Sequence, residues 1–97
     1  MGLDVIEEKN LNDAIAYALD YPSVVLSEAK SFASEISVLE DFAYGLYLGY
    51  ISGVFFDGFL ARNKKYLDSE ELTDFHSILV KRSPEIRLKI KVHLSLK

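Results

Sequence analysis

Acid–base chemistry in this chain would have to be carried by His76, His93 and Asp57. His76 follows Phe75 and lies close to Asp74, and Asp57 is the one acid inside a long apolar run, where burial would raise its pKa. Nothing accompanies them that would complete a catalytic group. There is no HExxH pair, glycine-rich phosphate loop, nucleophile elbow or metal-ligand spacing. His76 therefore reads as a histidine at the edge of a core, and Asp57 as a residue that faces solvent or pairs with a base such as Arg62, about one turn away. Cysteine is absent, which removes disulfides, thiolate metal ligands and a cysteine nucleophile. The expectation is a protein that is not an enzyme and uses neither cofactor nor metal.

Recognition has more to work with. Lys81, Arg82, Arg87, Lys89 and Lys91 form a basic series that could track phosphates or meet another anionic partner. Residues 1–60 hold ten acids and two bases, whereas residues 61–97 hold nine bases and five acids. That polarity suits the C-terminal part to something negative: nucleic acid, an anionic lipid surface, an acidic protein, or the acidic half of a second copy. The net charge of −4 weighs against a dedicated nucleic-acid binder. Alternating Lys and Arg also serve simply to keep an exposed strand soluble.

A third group consists of small residues. Gly45, Gly49 and Gly53 recur every four positions within residues 39–61, LEDFAYGLYLGYISGVFFDGFLA, with Ser52 beside them and Phe42 and Phe56 on about the same face. On a helix this spacing drifts by about 40° per step and leaves a shallow ridge on which another backbone can lie. Each glycine costs about 0.5–1 kcal/mol relative to alanine in a helix interior, so three of them read as a packing device. Their partner is either another helix of this chain or the same helix of a second copy.

The elements that must position these groups follow from periodicity. Residues 42–56 carry no formal charge and their apolar side chains fall all round a helical wheel, which predicts a buried central helix over residues 38–62. Asp57, three tyrosines and four glycines within its span argue against a membrane crossing. Ahead of it, residues 3–6 read as a short extended segment and Asn10 as the N-cap of a first helix that Pro22 ends near Tyr21. Residues 24–26 read as a strand or as the lead-in to a second helix capped by Ser27. The capping-box spacing of Ser37 and Glu40 predicts a break near Ser37 before the central helix. That helix closes in Arg62, Asn63, Lys64 and Lys65, with the asparagine suited to left-handed geometry. Asp68 with Glu71 then opens a last helix that ends near Arg82, ahead of Pro84.

From Ile86 to Leu96 every second residue is apolar. Strict period two predicts a β-strand over residues 86–96, which needs residues 3–6, residues 24–26 or the same strand of a second copy as its partner. The whole is expected to be a single domain over residues 1–97. It is mostly α with a minor β part: a four-helix-type domain around one central apolar helix, with the C-terminal strand paired to an N-terminal strand or to a dimer mate. Nearly half of the 97 residues are apolar, more than a compact monomer of this size needs, which points to a homodimer. The acidic N-terminus does not resemble a secretory signal, and the expected location is cytoplasmic. The function expected is that of a small non-enzymatic interaction or regulatory module that binds another protein. The alternatives are a dimeric nucleic-acid-binding regulator using the basic C-terminal strand, and a membrane-associated protein paired through the glycine ridge.

Overall fold

The computed structural model describes residues 2–95. They form four α-helices, α1 (Val5–Asp20), α2 (Pro22–Ser31), α3 (Leu39–Asn63) and α4 (Ser69–Ser95), with a 3-10 turn over Ala33–Glu35. α3 packs against each of the other three. It buries Ala43, Tyr47, Ile51, Phe55 and Phe59, a ridge at four-residue spacing. Against that ridge lie Leu11 and Ile15 of α1, Val25, Leu26 and Ala29 of α2, and Phe75, Leu79, Ile86 and Ile90 of α4, all buried. Phe55 stacks on Phe75 at 5.6 Å with the rings 11° from parallel. The 27 residues of α4 span about 40 Å at 1.5 Å per residue. That nearly equals the 43 Å long axis of the molecule.

Helix ends follow local chemistry, in places not where the sequence suggested. The N-cap of α1 is Asp4 and not Asn10, because the Glu7 N–H donates to Asp4 Oδ1 at 2.8 Å and so satisfies a first-turn amide. Val5 and Ile6 are therefore helical, which corrects the extended reading at those two residues, while Asp4 is extended. α1 stops at Asp20 as Pro22 requires, and Pro22 opens α2, where its missing N–H removes no helical bond. Residues 24–26 lie inside α2 and are not a strand, and Ser27 is an interior residue and not a cap. The expected break near Ser37 is present: Ile36 and Val38 are extended between the 3-10 turn and α3. Val38 stands at the N-cap without a side-chain bond, so the Ser37 capping box does not form. At the other end Lys64, not Asn63, adopts the left-handed conformation and donates its N–H to Leu60 O at 2.8 Å. The Asp68–Glu71 box forms in both directions, at 2.8 and 2.9 Å.

The C-terminal strand is overturned. Residues 86–95 belong to α4, which runs through Pro84 without stopping at Arg82, Leu96 at the end of the expected strand lies outside the described residues, and no strand occurs among those described. Every second residue of a period-two pattern is also every fourth. Ile86 and Ile90 therefore fall on one helical stripe and are fully buried, while Leu88 and Val92 fall on another and are exposed. A helix satisfies its own backbone, whereas a strand here would need a partner that α1 and α2, both helical, do not supply. Burial of Ile86 and Ile90, together with the 2.7 Å hydrogen bond that Tyr44 Oη shares with Ser83 Oγ, offsets the amide bond lost at Pro84.

At one end of the bundle a buried carboxylate is held by two partly solvated side chains. Glu7 is 5% exposed and accepts from Arg62 Nη2 at 2.6 Å, Arg62 Nε at 3.0 Å and Asn63 Nδ2 at 2.8 Å, tying the start of α1 to the end of α3. Gly58 makes room for this reach: a Cβ there would stand 2.6 Å from Arg62 Nη1. Hydrogen bonding from Arg62 holds the Glu7 carboxyl at about 2, against an ordinary 4.5, outweighing the opposing effect of burial. Because the folded-state pKa is depressed, this stabilisation is present in full above pH 4.5 and is lost as pH falls toward 2. With Arg62 partly in water, the contribution is on the order of 2 kcal/mol. Glu7→Gln is expected to lower stability by about that amount at pH 7 and to flatten the acid limb of a melting-temperature profile between pH 5 and 2. Tyr47 is fully buried, burial pushes its phenol pKa up, and its hydroxyl has no hydrogen-bond partner among the described residues. Removing an unpaired buried hydroxyl should help, so Tyr47→Phe is expected to raise stability by about 1 kcal/mol in a denaturant titration.

Candidate functional site

Each of three core positions is followed two positions later by a glycine: Ala43 by Gly45, Tyr47 by Gly49, Ile51 by Gly53. Two residues are about 200° of helix, so the glycines face away from the core. All three are exposed, and a Cβ built on any of them would meet nothing within 4 Å. The ridge that the spacing predicted is therefore present and open, with no other part of the described chain packed on it. Phe42 and Phe56 bracket it, both half-buried. Phe42 meets the edge of Phe32 at 6.1 Å, and Phe56 lies 4.8 Å from Phe75. Ser52 is half-buried beside them.

Along one side this face continues into a groove of about 380 Å³ between α2 and α3, lined by Val24, Val25, Leu46, Tyr50, Gly45 and Gly49, with Glu28 at its margin. Val24 is 55% exposed there. At the N-terminal end of the face Asp41 receives a hydrogen bond from Arg87 Nη1 at 2.7 Å, and the same guanidinium lies over the Tyr44 ring at 4.0 Å. Asp57 near the other end is exposed, and Arg62 is engaged by Glu7, so of its two expected settings Asp57 takes the solvent-facing one.

The basic residues do not assemble into one ribbon. Arg82 reaches Glu85 on its own helix and Asn12 on α1. Arg87 turns to Asp41 on α3. Lys81 and Lys91 are exposed and Lys89 is half-buried. With the strand gone, a two-stranded basic ribbon for a nucleic-acid groove is gone as well. His76 is exposed and His93 half-buried, about 25 Å apart along α4, so they cannot act on one group. No helix among the described residues is long and apolar enough to cross a membrane.

Two features escaped the sequence. The Glu7–Arg62–Asn63 cluster joins residues more than fifty positions apart, and no local pattern marks such a pair. The outward aliphatics of α4 are the other: the strand reading absorbs Leu88 and Val92, and Val80, in the stretch read as helix, is not singled out, although an alternating pattern wound on a helix must expose half of its apolar residues. No protein-family model, curated protein or solved structure matches this chain.

In the isolated chain the three open glycines carry only their conformational cost. Gly45→Ala, Gly49→Ala and Gly53→Ala are each expected to raise the stability of the monomer by about 0.5–1 kcal/mol, read by denaturant titration at the lowest workable protein concentration.

Proposed function

We propose that the chain is a homodimeric, non-enzymatic interaction module whose two copies meet along the outward face of α3. The observation that carries this is an apolar face that is both open and self-complementary. Gly45 and Gly53 stand four residues either side of Gly49, and Phe42 and Phe56 stand seven either side. A two-fold axis through Gly49 sets two α3 helices antiparallel. It lays Gly45 of one copy on Gly53 of the other and Phe42 on Phe56, so one patch serves both copies.

Energetics support the same arrangement. Three exposed glycines forgo about 1.5–3 kcal/mol of helix stability in the monomer. Close approach of a second backbone offsets that cost by bringing peptide groups and the flanking rings into van der Waals range. Antiparallel helices also oppose their macrodipoles favourably. Against these gains, Asp57 of one copy comes level with Asp41 of the other, a like-charge cost that Arg87, shared between Asp41 and Glu40, offsets in part. The adjoining groove lined by Val24, Val25, Leu46 and Tyr50 gains a wall from the second α3 and suits an aliphatic segment of a protein partner.

Light scattering on a size-exclusion column is expected to give twice the chain mass of 11.0 kDa. Gly49→Leu should give the monomer mass with an unchanged helical circular-dichroism spectrum, because the new side chain enters open space in the fold. The chain has no cysteine, so single cysteines report pairing cleanly. A mixture of Gly45→Cys and Gly53→Cys chains should oxidise to the mixed disulfide in preference to either self-pair. A monomeric parent chain, or a Gly49→Leu chain that stays dimeric, would overturn the reading.

A further inference from the structure

The side of α4 that turns away from the core presents Val80, Leu88 and Val92 at 72%, 63% and 45% exposure, with Pro84 exposed between them. They are spaced by fours, so they form one ridge about 18 Å long that winds by about 120° and whose C-terminal part, Leu88 and Val92, borders a groove shared with Leu19 and Asp20 of α1. Cations stand in the same turns. Between residues 80 and 94 there are five bases, Lys81, Arg82, Arg87, Lys89 and Lys91, against the single acid Glu85, which Arg82 engages at 2.7 Å. On a helical wheel Lys91 and Arg87 fall to one flank of the ridge and Lys81 and Lys89 to the other.

This combination selects among anionic partners. Nucleic acid rewards cations, but three exposed aliphatic side chains add nothing against a sugar–phosphate backbone, and no Phe, Tyr or Trp stands between residues 80 and 94, where the half-buried His93 is the one ring that could stack on a base. A layer of anionic headgroups over hydrocarbon rewards both at once: the ridge sinks to the acyl boundary while long lysine side chains on either flank extend to the phosphates. Cations on both flanks match a plane, which approaches the helix from both sides. We propose that α4 docks the protein, through Val80, Leu88 and Val92 with Lys81, Lys89 and Lys91, onto an anionic lipid surface. This contact lies on the surface and does not span it, and it is independent of the pairing of α3.

Co-sedimentation with vesicles tests it. The full chain is expected to bind vesicles of phosphatidylcholine with phosphatidylserine, to leave vesicles of phosphatidylcholine alone in the supernatant, and to lose binding as salt is raised. Leu88→Ser should weaken binding about tenfold, because the largest inserting side chain is lost. Lys81→Gln with Lys89→Gln should weaken it by more than tenfold, at about fivefold per charge near the surface. Leu88 and Lys81 are exposed and Lys89 is half-buried outside the core, so a helical circular-dichroism spectrum matching that of the parent chain is expected for each variant. Absence of binding to the anionic vesicles would overturn the proposal, as would equal binding to the neutral ones. A Leu88→Ser chain that binds as tightly as the parent would overturn it too, by reducing the surface to general polyanion attraction of the kind duplex DNA would share.

Discussion

The fold depends on one ridge of side chains. Ala43, Tyr47, Ile51, Phe55 and Phe59 of α3 are all buried, and the other three helices are placed by packing against them. Each large side chain removed from water there contributes about 1.5–3 kcal/mol, so the ridge outweighs local propensities elsewhere in the chain. That is why α4 continues through Pro84: stopping at Arg82 would forfeit the burial of Ile86 and Ile90. Helix geometry also ties the ridge to the candidate interface. With core residues and glycines both recurring every four positions, and two residues apart, burial of one face necessarily turns the other outward.

α3 is therefore apolar on both sides, for different reasons. Its inner side carries large side chains that fill the core, and its outer side carries glycines with nothing above them. A solvated helix face is normally charged, and one that lacks both charge and side chains has solubility and stability to gain only from being covered. The paired state proposed for α3 supplies that cover with the same face from a second copy. The outward side of α4 meets a different chemistry, because its aliphatic ridge is interleaved with lysines.

Electrostatics set the ends of the bundle more than its middle. Glu7 is tolerated in the interior because Arg62 and Asn63 both donate to it, and a glycine at position 58 leaves the guanidinium a path across its own helix. The result is a polar clamp between the first turn of α1 and the last turn of α3. Arg87 plays a looser version of the same part between α4 and the start of α3, on the surface and open to water.

What the sequence determined by itself was whatever local physics decides. The helical character and near-bounds of α3, the stop at Pro22, the break near Ser37, the Asp68–Glu71 cap and the shared face of Gly45, Gly49, Gly53, Phe42 and Phe56 depend on residues within a few positions of one another. Asp4 was legible by the same rule, since it stands three residues before Glu7, but the more conspicuous asparagine at position 10 drew the reading away. Tertiary structure alone decided three things. It chose helix over strand for residues 86–95, because an alternating pattern fits either and only the presence or absence of a pairing partner separates them. It joined Glu7 to Arg62 and Asn63, which no sequence spacing connects. And it turned the glycine ridge to solvent, since a ridge of small residues is equally suited to packing inside a fold or outside it, and only the placement of the other three helices shows which side was left open.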